Sequence, residues 1–178
     1  MRALTLYTLL SLDGVAEEPG NWMFDVDDEV FENLSGVIGT QDDLLLGHGT
    51  FDYWSGYWPA SDVQPFADFI NHHPKHVFAS GPLGVPWSGT VVADAPLEPY
   101  VARLKDTPGG DIGVHGSIRL AQSLLVADLV DRLELVIVPT IAGSGRRLFT
   151  DGVDVRRLRL DKAARSTTGC VFLGYRRP

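Results

Sequence analysis

Residues 111–149 read DIGVHGSIRLAQSLLVADLVDRLELVIVPTIAGSGRRLF. Ile112 to His115 is a short apolar strand, and Gly116-Ser117 ends it with a turn signal. Ile118 to Ala127 carries apolar residues at helical spacing, and Leu133 to Val138 is an apolar, β-branched strand. A strand, a helix and a second strand in this order make one parallel α/β unit. The same alternation runs back to the start of the chain. Ala3 to Leu10 reads as a strand closed by Asp13-Gly14, and a helix begins near Asp27 with Val30, Phe31, Leu34, Val37 and Ile38 on one face. Further strands are expected at Asp43–Leu46, His76–Ala79 and Thr90–Val92. Helices are expected from Phe51, over Val63–Asn71 and over Leu97–Lys105. After Gly152 the pattern alternates openly and predicts two antiparallel strands, near Arg156–Ala164 and Val171–Arg176. No repeat, low-complexity tract or linker interrupts the chain, so residues 1–178 are expected to form a single domain.

Composition narrows the function. The chain has 178 residues, 44% hydrophobic and 21% charged, which is ordinary for a globular protein. The net charge of −8 argues against a nucleic-acid partner, which needs a basic face. No apolar run approaches the ~20 residues of a membrane span. The opening MRALTLYTLLSLDG alternates like a strand and lacks a small-residue cleavage site, so export is not expected. With Cys170 as the one cysteine, no disulfide within the chain and no cysteine-based metal site is expected, consistent with a reducing cytoplasm. Basic residues cluster at Arg146-Arg147 and along Arg156, Arg157, Arg159, Lys162 and Arg165. They read either as surface charges or as a local anion site.

Three strand ends run at once into small residues and then toward a helix: Leu46 into Gly47-His48-Gly49-Thr50, Ala79 into Ser80-Gly81, and His115 into Gly116-Ser117. In a parallel sheet these turns share the carboxyl edge, where such sheets bind ligands. Glycine admits a phosphate to the backbone, and the free amides of a helix start attract its charge. Neither the G-x-G-x-x-G spacing nor a P-loop is present.

The order of SLDG, LLLGHGTFDYW, HVFASGPL and the 111–149 stretch resembles the reductase domain of the bacterial riboflavin-biosynthesis deaminase-reductases, within the dihydrofolate-reductase-like superfamily. The resemblance covers nearly the whole chain and is most specific from Val114 to Phe149. It implies a three-layer α/β/α fold with a mostly parallel central sheet and a C-terminal antiparallel hairpin. It also implies NADPH as cofactor and a homodimer. By position, Gly47, His48, Gly49 and Thr50 match the turn that holds the cofactor's phosphates, with His48 where the family carries Arg. Ser80 and Gly81 match the adenosine-side loop. Gly116, Ser117, Ile118, Arg119 and Leu120 match the turn and helix start over the pyrophosphate. Val15 and Ala16 match the wall beside the nicotinamide. The deaminase domain of the bifunctional enzymes is not represented, so a stand-alone relative is expected.

Reduction also calls for an acid and a substrate wall. Candidate acids are Asp13, Glu17, Glu18, Asp25, Asp27 and Asp28. Asp13 lies in the SLDG context that the resemblance associates with catalysis, and it also suits an Asx turn before Gly14. Asp27 falls where folate enzymes hold their pteridine, and equally suits a helix cap. His115 stands where the riboflavin branch carries a Glu that touches substrate. It reads as a proton donor or as a buried, hydrogen-bonded histidine. Trp22, Phe24, Tyr53, Trp54, Tyr57 and Trp58 are available to stack on a flat heterocycle, with Phe51 and Trp54 expected in the core. Arg146 or Arg147 is a candidate for a substrate phosphate. His72, His73 and His76 lack a nearby carboxylate in sequence, and no metal is expected. The leading reading is an NADPH-dependent reductase of a pyrimidine- or pterin-like heterocycle. Its concrete form is reduction of the ribosyl group of 5-amino-6-(5-phosphoribosylamino)uracil. The alternatives are a dihydrofolate reductase and a nucleotide-binding protein without catalysis.

Overall fold

The structure is a computed structural model that describes residues 1–24, 26–150 and 154–178, so Asp25 lies outside the described residues. In chain order the elements are β1 (Leu4–Ser11), α1 (Asp28–Ile38), β2 (Gln41–Gly47), α2 (His48–Tyr57), α3 (Phe66–His72), β3 (Lys75–Phe78), β4 (Thr90–Val92), α4 (Leu97–Lys105), β5 (Asp111–His115), α5 (Ile118–Val126), β6 (Arg132–Val138), β7 (Arg159–Arg165) and β8 (Val171–Arg176). The described strands form one eight-stranded sheet in the order β4-β3-β2-β5-β1-β6-β8-β7. Strands β1 to β6 run parallel to their neighbours within that group, and β6 pairs antiparallel with β8, which pairs antiparallel with β7.

The parallel strands are covered on both faces, which is why they read as continuous apolar runs. Leu44, Leu45 and Leu46 are all fully buried yet point to alternate faces. Leu45 joins a core with Leu4, Leu6, Val101 of α4 and Leu120, Ala121 and Leu124 of α5. Leu44 and Leu46 join Ile38 of α1, Phe51 of α2 and Phe66, Phe69 and Ile70 of α3. Each fully buried Leu or Phe contributes about 1.5–3 kcal/mol, so both helix layers are held by the sheet rather than by helix propensity. Phe51 is fully buried and Trp54 packs against the same cluster, as their spacing predicts.

The elements differ from the sequence expectation mainly at their ends. The expected short helical piece from Phe51 is the ten-residue α2, which begins at His48 directly after β2. The amino edge is closed by ion pairs: buried Arg2 meets Asp42 and Asp43, and Lys105 meets Asp131. The carboxyl edge instead carries turns and helix starts.

Candidate active site at the carboxyl edge of the sheet

The strand order places the ends of β2, β5 and β1 side by side. Helix α2 starts directly after β2 and α5 directly after β5, and neither start has a side-chain cap. No capping side chain takes the first-turn amides, although at α5 the Ser117 and Ile118 amides already donate to the His115 and Gly116 carbonyls. The two turns are tied together, because the Gly47 amide donates to Ser117 Oγ at 3.0 Å. A Cβ on Gly49 or Gly81 would meet no atom within 4 Å, so both glycines border open space. Ser80 and Arg119 are exposed, and Arg119 has no ion pair with a described residue. His48 is half-buried, with Nε2 3.4 Å from the Asp52 carboxylate one turn along the helix.

Gly116 has a different reason to be glycine. Its φ is +69°, and a Cβ there would run into the Trp54 ring. Trp54 thus closes over the β5 turn and fixes its shape. Ile118 is half-buried and Leu120 is buried in the core, so these two present backbone rather than side chains to the edge. An open groove of about 720 Å³ runs between α4 and α5, lined by Leu97, Glu98, Arg119 and Gln122 among others. It continues from the helix start that carries Arg119. The second pocket lies elsewhere, below α1 among Thr5, Asn33, Glu134 and Lys162.

The loop after β1 and the loop after β6 form a clasp. The Leu12 amide donates to the Thr140 carbonyl, the Ala16 amide donates to the Arg146 carbonyl, and Val15 bridges Arg147. The Asp13 carboxylate accepts from Ser11 Oγ at 2.7 Å, from the Ala142 amide at 2.9 Å and from the Gly143 amide at 3.1 Å. The Ser11 hydroxyl and these amides hold its pKa down at about 2. Arg147 Nε donates to the Asp13 carbonyl, and Arg146 Nε donates to Glu17 at 2.6 Å. Those Arg146 bonds also lower the Glu17 pKa. Gly145 has φ +120° and lies so close that a Cβ there would be 2.6 Å from Val15.

The expected site residues take the following places in this geometry. Asp13 is a fixed carboxylate tying two loops, so it holds no proton to give near neutral pH. His115 is 3% exposed and faces Tyr7, Phe66 and Phe69. Its Nε2–H donates to Gln41 Oε1 at 2.8 Å, and burial pushes its pKa down to about 3. Of its two expected readings, this environment matches the buried, hydrogen-bonded histidine. Trp22 is 4% exposed, its Nε1–H donates to the Glu17 carbonyl, and it packs with Val30 and Phe172. It is part of the core. Asp27 caps α1 by accepting from the Val30 amide, and its second oxygen accepts from Thr168 Oγ1. The capping role holds, and its carboxylate is turned to the β7–β8 hairpin rather than to a ligand. Arg146 is committed to Glu17. The Val15 side chain is fully buried, so only half-buried Ala16 and the Val15 backbone face the edge. Of the three histidines weighed for metal, His72 and His73 bond backbone carbonyls and His76 bonds Asp43 and Tyr100.

Sequence reasoning missed Trp54 as the cover of Gly116, and it missed the clasp. The available signal for the clasp was the pairing of Asp13 and Glu17 in one turn-rich loop with Arg146 and Arg147 in another.

The layered sheet, its antiparallel C-terminal end and the edge turns define a protein of the dihydrofolate-reductase-like class. Within it, the chain belongs to the RibD C-terminal domain family, whose model matches residues 2–172. Uncharacterized protein YwjB of Bacillus subtilis (strain 168) is 27% identical over 162 residues, covering 89% of each chain. Uncharacterized protein YyaP of the same strain is 26% identical over 181 residues, covering 98% of this chain and 94% of that one. Among solved structures, a Shewanella sp. PV-4 protein named for riboflavin biosynthesis matches with a TM-score of 0.80, 18% identity and 99% coverage of both chains. The Thermotoga maritima diaminohydroxyphosphoribosylaminopyrimidine deaminase/5-amino-6-(5-phosphoribosylamino)uracil reductase matches with a TM-score of 0.69 and 15% identity over 99% of this chain, which spans 57% of that one. Dihydrofolate reductase from Enterococcus faecalis, solved with NADP(H), matches with a TM-score of 0.68 and 15% identity, covering 98% and 96% of the two chains. These identities establish a shared fold.

Proposed function

We propose that the chain is an NADPH-dependent reductase of a pyrimidine- or pterin-like heterocycle, bound at the carboxyl edge of the sheet. The observation that carries this is the pair of uncapped helix starts, α2 and α5, joined through Gly47 and Ser117. Two helix starts held side by side suit a pyrophosphate. Gly49 and Gly81 leave room beside them, and Arg119 adds a cation. The residues present therefore fit a dinucleotide, with Ser80 and Gly81 toward the adenosine and Ala16 toward the nicotinamide. Family membership supports the same assignment.

Bound NADPH would supply a hydride to an electron-poor carbon of the substrate. The chain's part is to hold the two rings together and to exclude competing geometry. With Asp13 ionised and His115 buried, the product's heteroatom takes its proton from solvent at the open edge. Both 5-amino-6-(5-phosphoribosylamino)uracil and dihydropterins fall within the substrate class. The same two corrections favour a second reading, a nucleotide-binding protein without catalysis. We also propose a homodimer, the state the family resemblance implies, through β6 and the C-terminal hairpin.

The test is to follow reduced-nicotinamide absorbance with the protein, NADPH and each substrate class in turn. Substrate-dependent loss supports the reductase. NADPH binding with no loss for either class supports the second reading, and no NADPH binding removes both.

A further inference from the structure

Glu134 of β6 and Lys162 of β7 flank Gly174 of β8, one on each side. Two strand spacings, about 10 Å, separate their Cα atoms. A Cβ at Gly174 would lie 3.1 Å from each Glu134 carboxylate oxygen and 3.2 Å from the Lys162 Cβ. Glycine inside a strand weakens the sheet and marks a close approach. Here it keeps the strip between the two side chains clear. Glu134 and Lys162 carry opposite charges, yet no ion pair joins them among the described residues. Lys162 Nζ instead donates to Asn33 Oδ1 at 2.6 Å, and Asn33 is held in turn by a bond to the Tyr7 side chain. The Glu134 carboxylate is half-buried and has no hydrogen-bond partner among the described residues. Burial raises its pKa, as expected of a carboxylate that lacks a partner.

Between this strip and α1 lies a pocket of about 280 Å³. Thr5 lines it, is 3% exposed, and its hydroxyl has no hydrogen-bond partner among the described residues. A buried hydroxyl without a partner is destabilising, so its place on a pocket wall points to a ligand that completes it. The other opposite charges lining the pocket, Arg132 and Asp111, already pair at 2.8 Å. Exposed Glu32 adds negative charge from α1. A lone cation in this space would face Lys162, and a lone anion would face Glu134. A ligand that carries both charges satisfies both residues.

We propose that this pocket binds a small zwitterion, an α-amino acid. Its ammonium group donates to Glu134 and to the Thr5 hydroxyl oxygen, and its carboxylate accepts from Lys162. The site is separate from the carboxyl edge, since Thr5 and Ser11 are six residues apart on β1, about 20 Å. The two sites fill independently.

The test screens the proteinogenic α-amino acids against the full chain by melting temperature and titrates those that stabilise it by calorimetry. At least one is expected to bind saturably. Its amine lacking the carboxylate and its acid lacking the ammonium group are each expected to bind at least tenfold more weakly. Glu134→Gln and Lys162→Met are expected to lose at least tenfold in affinity while melting close to the unaltered chain. Thr5→Val, which keeps the side-chain shape, is expected to melt no lower than the unaltered chain and to bind severalfold more weakly. Failure of every amino acid to bind overturns the proposal, as does equal binding of the amine or the acid alone. Affinity unchanged in Glu134→Gln, Lys162→Met and Thr5→Val places the ligand elsewhere and overturns it too. Displacement of the amino acid by NADPH would contradict the separation of the two sites.

Discussion

His115 and Asp13 show how far a residue's type falls short of its role. Both were legible as candidate chemistry, because each sits at a strand end beside a glycine. The sequence does not show what surrounds them. Phe66 and Phe69 come from α3, and Gln41 from the start of β2, so the burial of His115 depends on contacts across the fold. The consequence is measurable. A histidine with a folded pKa near 3 and an ordinary unfolded value near 6.5 leaves the unfolded state holding more protons between them. Stability is therefore fully present above about pH 6.5 and falls as the pH drops toward 3. The slope should reach about 1.4 kcal/mol per pH unit. His115→Gln is expected to lose that segment of the denaturation-versus-pH curve, and an unchanged curve would contradict its burial. Asp13 has the opposite sign of role, with its folded pKa near 2 below the ordinary carboxylate value. Its contribution is present above about pH 4 and is lost as the pH falls through 2. Asp13→Asn is expected to lower the melting temperature at pH 7, with the gap to the unaltered protein narrowing in acid.

At the scale of elements, the turns separate two uses of glycine that look identical in sequence. Gly116 serves Trp54 and a positive φ, whereas Gly49 borders open space at the start of α2. Gly116→Ala is expected to cost about 2–4 kcal/mol in chemical denaturation, from overpacking and backbone strain together. Gly49→Asp is expected to fold at least as well as the unaltered chain, because an acid in the first turn suits the helix dipole. The same carboxylate would repel a bound pyrophosphate. The strands and long helices were legible because Leu44–Leu46, Leu133–Val138 and the face of α5 carry their own periodicity. The start of α2 leaves little sequence signal because His48, Gly49 and Thr50 are poor helix formers, held in place by Phe51 in the core. The clasp was not legible, because Asp13 and Arg147 are distant in sequence and meet only once β1 and β6 pair.

For the whole molecule, the sheet order sets the ends of β2, β5 and β1 next to one another, and that adjacency makes one site from three separate turns. The layered α/β plan and the C-terminal hairpin followed from the alternation of patterns along the chain. The order β2-β5-β1-β6 was not legible, since crossover partners leave little trace in sequence. The starts of α2 and α5 form the cradle at the heart of this site. A ligand at 100 times its dissociation constant adds about 2.7 kcal/mol, a rise of about 5–10 °C in melting temperature for a chain of this size. The most direct measurement is an NADPH titration of melting temperature in the unaltered chain and in Gly49→Asp. A clear rise is expected in the first and at least a tenfold loss of affinity in the second, with both equally stable before NADPH is added. No rise in the unaltered chain, or the same rise in both, would contradict it.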